Sequence, residues 1–130
     1  MREFLFRGKG KYDGEWVQGF LIGLYDPTIK ENTIKHAYIK DGTIFDRAYG
    51  VIPETVGQYT GLTDKNGTKI FEGDILKCDY ATFVAKWDEK NARFLGFIIG
   101  KEQAIIYVGR EPKAEIIGNI HDNPELMEGE

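Results

Sequence analysis

The sequence predicts a mainly β protein: an antiparallel β-meander lobe, then a lobe with enough strands for a small barrel, and short helical turns between and after them. Three observations predict it. Apolar residues recur with period two rather than 3.6, as half-buried strands require. Asp13-Gly14, Asp41-Gly42 and Asn66-Gly67 each sit between strand-like runs, and such pairs accept the positive φ of tight hairpin turns. Helix signals are confined to two short stretches.

The elements follow in chain order. In "EWVQGFLIGL", Trp16, Gln18, Phe20, Ile22 and Leu24 share one face, which is mostly apolar. "AYIKDGTIFD" reads as a hairpin closed by Asp41-Gly42. "IPETVGQ" makes one helical turn, with Pro53 at its start and Gly57 just past its end. The seam between the lobes falls here, giving a meander lobe over 1–57 and a second lobe over 58–130; the alternative is one continuous domain. "YTGLTDKNGTKIF" is a further hairpin. In "DILKCDY", Leu76, Cys78 and Tyr80 face one way, and Lys77 and Asp79 the other. In "TFVAKWD", Phe83, Ala85 and Trp87 oppose Val84, Lys86 and Asp88. "RFLGFIIG" and "QAIIYVG" are apolar on both faces, as central strands are. "HDNPELM" closes the chain as a short helix, with Asn123 as cap and Pro124 at the first helical position.

Composition narrows the function. At 42% hydrophobic and 13% aromatic, the 130 residues can build a core, so wholesale disorder is excluded. A net charge of −4 argues against an electrostatic grip on phosphate backbones, though a local basic face remains open. A single cysteine permits no internal disulfide and, with two scattered histidines, argues against a Cys/His zinc site. "MREFLFRGKGKYDGEW" has no apolar core for a signal peptide, and the longest apolar runs are too short to span a bilayer. The expectation is a protein of the cytoplasm of whatever cell makes it, without membrane contact and without cofactor or metal.

The densest stretch is "QYTGLTDKNGTKIFEGDILKCDY", residues 58–80. Each residue type in it has a structural use. Asn66-Gly67 closes a hairpin. Gly73 suits a backbone conformation that a side chain disfavours. Asp74 can accept hydrogen bonds from nearby backbone amides, as Asx-turns do. Asn66, Gly67, Gly73 and Asp74 are therefore read as a structural motif.

"VIPETVGQYTGLTDKNGTKIFEGDILK" resembles the signature of the YopX family, small proteins of phages and prophages in Gram-positive bacteria. The opening "REFLFRGK" and the near-terminal "EIIGNIHDNPELM" look like that family's two ends. The resemblance implies a mainly β fold with SH3-like barrel character in the second lobe, and a phage or prophage origin. It implies no activity and supplies no catalytic residues.

Candidate chemistry is sparse. "RGKGK" at 7–11 mimics a phosphate loop, but the hairpin-like "YDGEW" follows it where a helix N-terminus would be needed. Cys78 with His36 or His121 would make a thiolate pair only in an open, electropositive setting, and Cys78 shares its face with Leu76 and Tyr80. Glu72, Asp74, Asp79, Asp88 and Glu89 are close in sequence, but strand alternation separates them, leaving a solvated rim. Aromatic residues mix with bases at Lys86, Trp87, Lys90, Arg93 and Phe94, a pattern that could stack and track single-stranded nucleic acid; the same rings also suit a core. The reading is a non-enzymatic protein acting through contacts with a phage or host protein or through homo-oligomerisation. Single-stranded nucleic-acid binding is the alternative.

Overall fold

A computed structural model describes residues 4–24, 36–40, 48–101, 105–108 and 113–128. The Asp41-Gly42 turn lies outside them. The described strands are β1 (Phe6–Lys9), β2 (Trp16–Leu24), β3 (His36–Lys40), β4 (Ala48–Val51), β5 (Gly57–Thr63), β6 (Lys69–Phe71), β7 (Asp74–Lys77), β8 (Thr82–Asp88), β9 (Arg93–Ile98), β10 (Ile105–Ile106) and β11 (Glu115–Asn119). They form two antiparallel sheets, ordered β4-β3-β2-β1-β5-β6 and β10-β9-β8-β7-β11. The chain divides into two compact units, Met1–Gln58 and Tyr59–Glu130.

The first unit is an antiparallel meander. Its turn at Asp13-Gly14 has positive φ at the glycine alone (+71°), and Gly14 N–H donates to Gly10 O across it. The strand register pairs Phe6 with Gly19 and Lys9 with Trp16. Bonds from Lys11 N to Gly50 O and from Ile52 N to Lys9 O tie the end of β1 to β4. Ile39 and Val51 are buried, with Phe6, Val17 and Val56 packed against them. The expectation for β2 is not met here. Val17 packs against this core, while Phe20, on the face expected to be buried, is 56% exposed. Alternation identifies the two faces of a strand, but only the partner sheet decides which one is covered. Pro53–Thr55 forms one 3-10 turn; the Thr55 hydroxyl accepts from Lys9 N and donates to Ile52 O.

In the second unit, Leu76, Cys78, Phe83, Ala85, Ile106, Val108 and Ala114 build the core together with Ile70. Leu76 pairs with Phe83, and Ala85 with Gly96, so these residues project from one face. The five-stranded sheet is open: no pairing joins β10 to β11 among the described residues, and the closed SH3-like barrel expected of this lobe is not formed by them. β9 is an interior strand, paired with β8 and β10, but Phe94, Phe97 and Ile98 are only half-buried, so it is not covered on both faces as expected. β10 is instead a two-residue edge strand with Ile105 exposed, so the "QAIIYVG" run is apolar on both faces without being covered on both. Tyr80 leaves the face of Leu76 and Cys78, because β7 ends at Lys77 and the chain bends beyond it. The terminal stretch Pro124–Met127 is a 3-10 turn.

Candidate functional site

The dense central segment folds around the edge strand β11. The chain turns over Asp64–Gly67, with Gly67 N donating to Asp64 O and Asp64 N to Thr68 O. Only Gly67 has positive φ (+81°), so this is a one-sided turn completed by a left-handed glycine, not the turn with two positive φ values that Asn-Gly suggests. Asp64 Oδ1 accepts from Asn66 N (2.9 Å) and Thr68 N (3.0 Å), while Oδ2 accepts from Ile116 N (3.1 Å) on β11. Lys65 N donates to Ala114 O, Lys65 Nζ lies 3.3 Å from Glu115 Oε2, and Asn66 Nδ2 donates to Glu115 Oε1. The hairpin thereby satisfies backbone groups on the outer edge of β11, where an open sheet is otherwise vulnerable. Burial pushes the Asp64 carboxyl up, but the amides of Ile116, Thr68 and Asn66 and the charge of Lys65 outweigh it and hold the pKa below its ordinary value.

Three residues after Phe71, the buried Asp74 accepts from Phe71 N at 2.8 Å and fixes the corner into β7. Gly73 turns that corner at φ +93°; its amide donates to Ala85 O and its carbonyl accepts from Ile120 N. This brings Glu72-Gly73-Asp74 against the loop Asn119–Asn123. Asn119 Oδ1 accepts from His121 N and Asp122 N, and Asn123 Oδ1 accepts from Asn119 N. Asn123 stands where a helix cap was expected, yet its side chain makes no capping bond to the terminal turn. The two polar segments that look most like a site thus meet, and their side-chain oxygens mostly hold backbone amides. No group of three or more His, Cys, Asp or Glu residues among those described could hold a metal ion.

Sequence reasoning singled out Asn66, Gly67, Gly73 and Asp74 as a structural motif and Asn123 as a helix cap, and did not single out Asp64 or Asn119. A local signal existed for Asp64: an aspartate three residues before the glycine of a tight turn is placed to receive the turn's amides. Its bond to Ile116 joins positions 52 apart and has no local signal. Cys78 is buried, its thiol directed at Ala81 O at 3.5 Å. "RGKGK" runs from β1 into a turn before β2, with no helix behind it.

The aromatic and basic group divides across the β8–β9 hairpin. Trp87 pairs with Phe94, their rings 4.8 Å apart and edge-on, while Lys86 pairs with Leu95 and Asp88 with Arg93. The pleat therefore puts Trp87 and Phe94 on one face and Lys86 and Arg93 on the other. Lys90 is in the turn. The Arg93 guanidinium lies over the Tyr107 ring at 5.3 Å.

Together these features define a small two-sheet β protein whose most motif-like polar residues secure its own turns and strand edges. The chain belongs to the YopX family: the family model described as YopX protein matches residues 5–128. Among solved structures it is similar to protein EF1440 from Enterococcus faecalis, whose crystal structure is 25% identical. That match has a TM-score of 0.57 and covers 98% of this chain and 100% of that one. No curated protein matches. No helix among the described residues is long and apolar enough to cross a membrane.

Proposed function

We propose that this chain is a non-enzymatic protein of phage or prophage origin that works in the bacterial cytoplasm through protein–protein contacts, self-association among them. One observation carries the reading. In the second unit the polar motif residues are engaged by backbone amides, while Tyr80, Trp87, Ile105, Tyr107 and Ile117 stay substantially exposed. Scattered exposed apolar residues are ordinary, but large rings and branched chains beside an open sheet suit contact with another protein surface. The strand order, in which the last strand returns to pair with the first of its sheet, supports SH3-like connectivity. The test is affinity capture of the full chain from phage-infected or induced cells, with light scattering of the purified protein. Retention of a defined partner, or a mass above the monomer, is expected. A strict monomer at high concentration that captures nothing would end this reading.

A second reading, single-stranded nucleic-acid binding, is favoured by the Trp87–Phe94 pair and by Arg93 stacked on Tyr107. It expects oligonucleotide to quench tryptophan fluorescence with steep salt dependence. The division of rings and cations between two faces weighs against a single groove. Absence of quenching at low salt would exclude it.

A further inference from the structure

Beside the second unit's sheet, two cavities of about 490 and 610 Å³ both border Ile98, Ile99 and Lys101. The first also reaches Lys86 and Met127, and the second Lys77 and Glu125. We propose that this groove, which runs past the terminal turn Pro124–Met127, binds an extended segment of a partner protein carrying an acidic residue beside an aliphatic one. The proposal rests on the protein-contact reading above and gives it a surface.

Its dimensions follow from the register. Lys77 pairs with Thr82, and Lys86 lies four residues further along β8, roughly 13 Å at about 3.3 Å per residue. That is the reach of about four extended residues. Ile99 N donates to Thr82 O, which carries the β9 strand past its last paired residue and sets Lys101 at the same end as Lys77. The three lysines are exposed, and none is ion-paired to a described residue. On a chain of net charge −4, three uncommitted ammonium groups around an aliphatic floor are a local reversal of sign.

The opposite side carries Glu125 and Glu128. A polyanion would meet both carboxylates in the second cavity, whereas a peptide offers them its N–H groups while presenting carboxylates to the lysines. An aliphatic side chain would cover Ile99 and Met127, which an ordinary phosphate backbone leaves bare. The mixed rim and apolar floor therefore favour a peptide over nucleic acid.

The test pans a short random-peptide phage library against the full chain and against the double variant Lys77→Glu/Lys101→Glu, whose thermal unfolding is checked against the parent. Both positions are exposed, so the variant is expected to fold. Enrichment of peptides with Asp or Glu next to Leu, Ile or Val is expected. The most enriched peptide, labelled and followed by anisotropy, should bind the double variant at least about tenfold more weakly. No enrichment, enrichment of basic peptides, or equal binding by the variant would overturn the proposal. So would oligothymidylate competing for the same surface, or a light-scattering mass above the monomer that the double variant abolishes. If a cellular partner is captured equally by parent and variant, the groove is wrong and the protein-contact reading stands; if neither captures anything, that reading fails while the panning result still judges the groove.

Discussion

The two hairpins of the second unit start from similar sequence and end as different objects. The β5–β6 turn places a left-handed glycine, Gly67, where the chain needs positive φ, and its Asp64 reaches across to an amide of β11. The β8–β9 turn asks an alanine to do the same: Ala92 has φ +50°. Its side-chain hydrogen bond and ion pair are local, Asn91 Nδ2 to Asp88 Oδ2 at 2.8 Å and Arg93 Nε to Asp88 Oδ2 at 3.9 Å, and its reach outward is Arg93 over the Tyr107 ring. One hairpin is fastened to a distant strand; the other stands out from the sheet with Trp87 and Arg93 exposed beside it. Regions of few long-range contacts open most easily. Rigidity in this unit therefore belongs to the segment that looks most like a catalytic loop, and adaptability to the one that looks plain.

The comparison breaks most directly at Asp64. Asp64→Ala leaves three backbone amides, those of Asn66, Thr68 and Ile116, without their acceptor. A loss of about 3 kcal/mol is expected, the upper end for hydrogen bonds to a charged group. Denaturant unfolding measures it, and a loss under about 1 kcal/mol would show the hairpin to be held by something other than this carboxylate. Gly73→Val is expected to cost about 2 kcal/mol, because a β-branched residue must adopt φ +93°, a conformation L side chains rarely take. An unchanged melting temperature would refute the corner as drawn.

Acid sharpens the same contrast. The Asp64 pKa is lowered in the fold, so the unfolded chain takes up the proton first as pH falls. The stability this carboxylate contributes is complete above its unfolded pKa and is lost as pH drops through the folded value. Asp64→Asn should be less stable than the parent near neutrality, and the difference should shrink progressively below about pH 4. A difference independent of pH would assign the effect to shape alone.

What the sequence reveals divides along the same physical line. Period-two alternation located the strands around Trp16, Leu76 and Phe83, because pleating is local. The corner at Gly73-Asp74 was legible for the same reason: Phe71 is only three residues from Asp74. Which face of β2 is covered, whether β10 is central or at an edge, and whether the second sheet closes depend on strands far away in sequence, and those expectations failed. The site divides likewise. Asn66 and Gly67 advertise a turn, but the edge they cover, β11, lies some fifty residues further on, outside any window of periodicity. Trp87 and Phe94 were rightly grouped, since one short hairpin joins them. Lys86 and Arg93 were grouped with them by proximity in sequence, which ignores that adjacent residues of a strand face opposite ways.

The smallest expected effect tests the plain hairpin. Ala92→Gly removes a methyl group from a left-handed residue, where an L side chain costs about 1–2 kcal/mol. Glycine returns part of that, roughly 0.5–1 kcal/mol, as extra freedom of the unfolded chain. The net expectation is a stabilisation of about 0.5 kcal/mol, the difference between those two effects. The same replacement should leave the Trp87–Phe94 contact intact, since Asp88 and Arg93 close the turn and Trp87 and Phe94 pair one step further along the ladder. Near-ultraviolet circular dichroism reports the rings, and denaturant unfolding reports the free energy. Stabilisation with an unchanged aromatic signal would locate the strain in the turn backbone alone. Destabilisation would mean that the methyl group packs against a neighbour and that this hairpin, too, is fastened from outside, which would erase the contrast between the two.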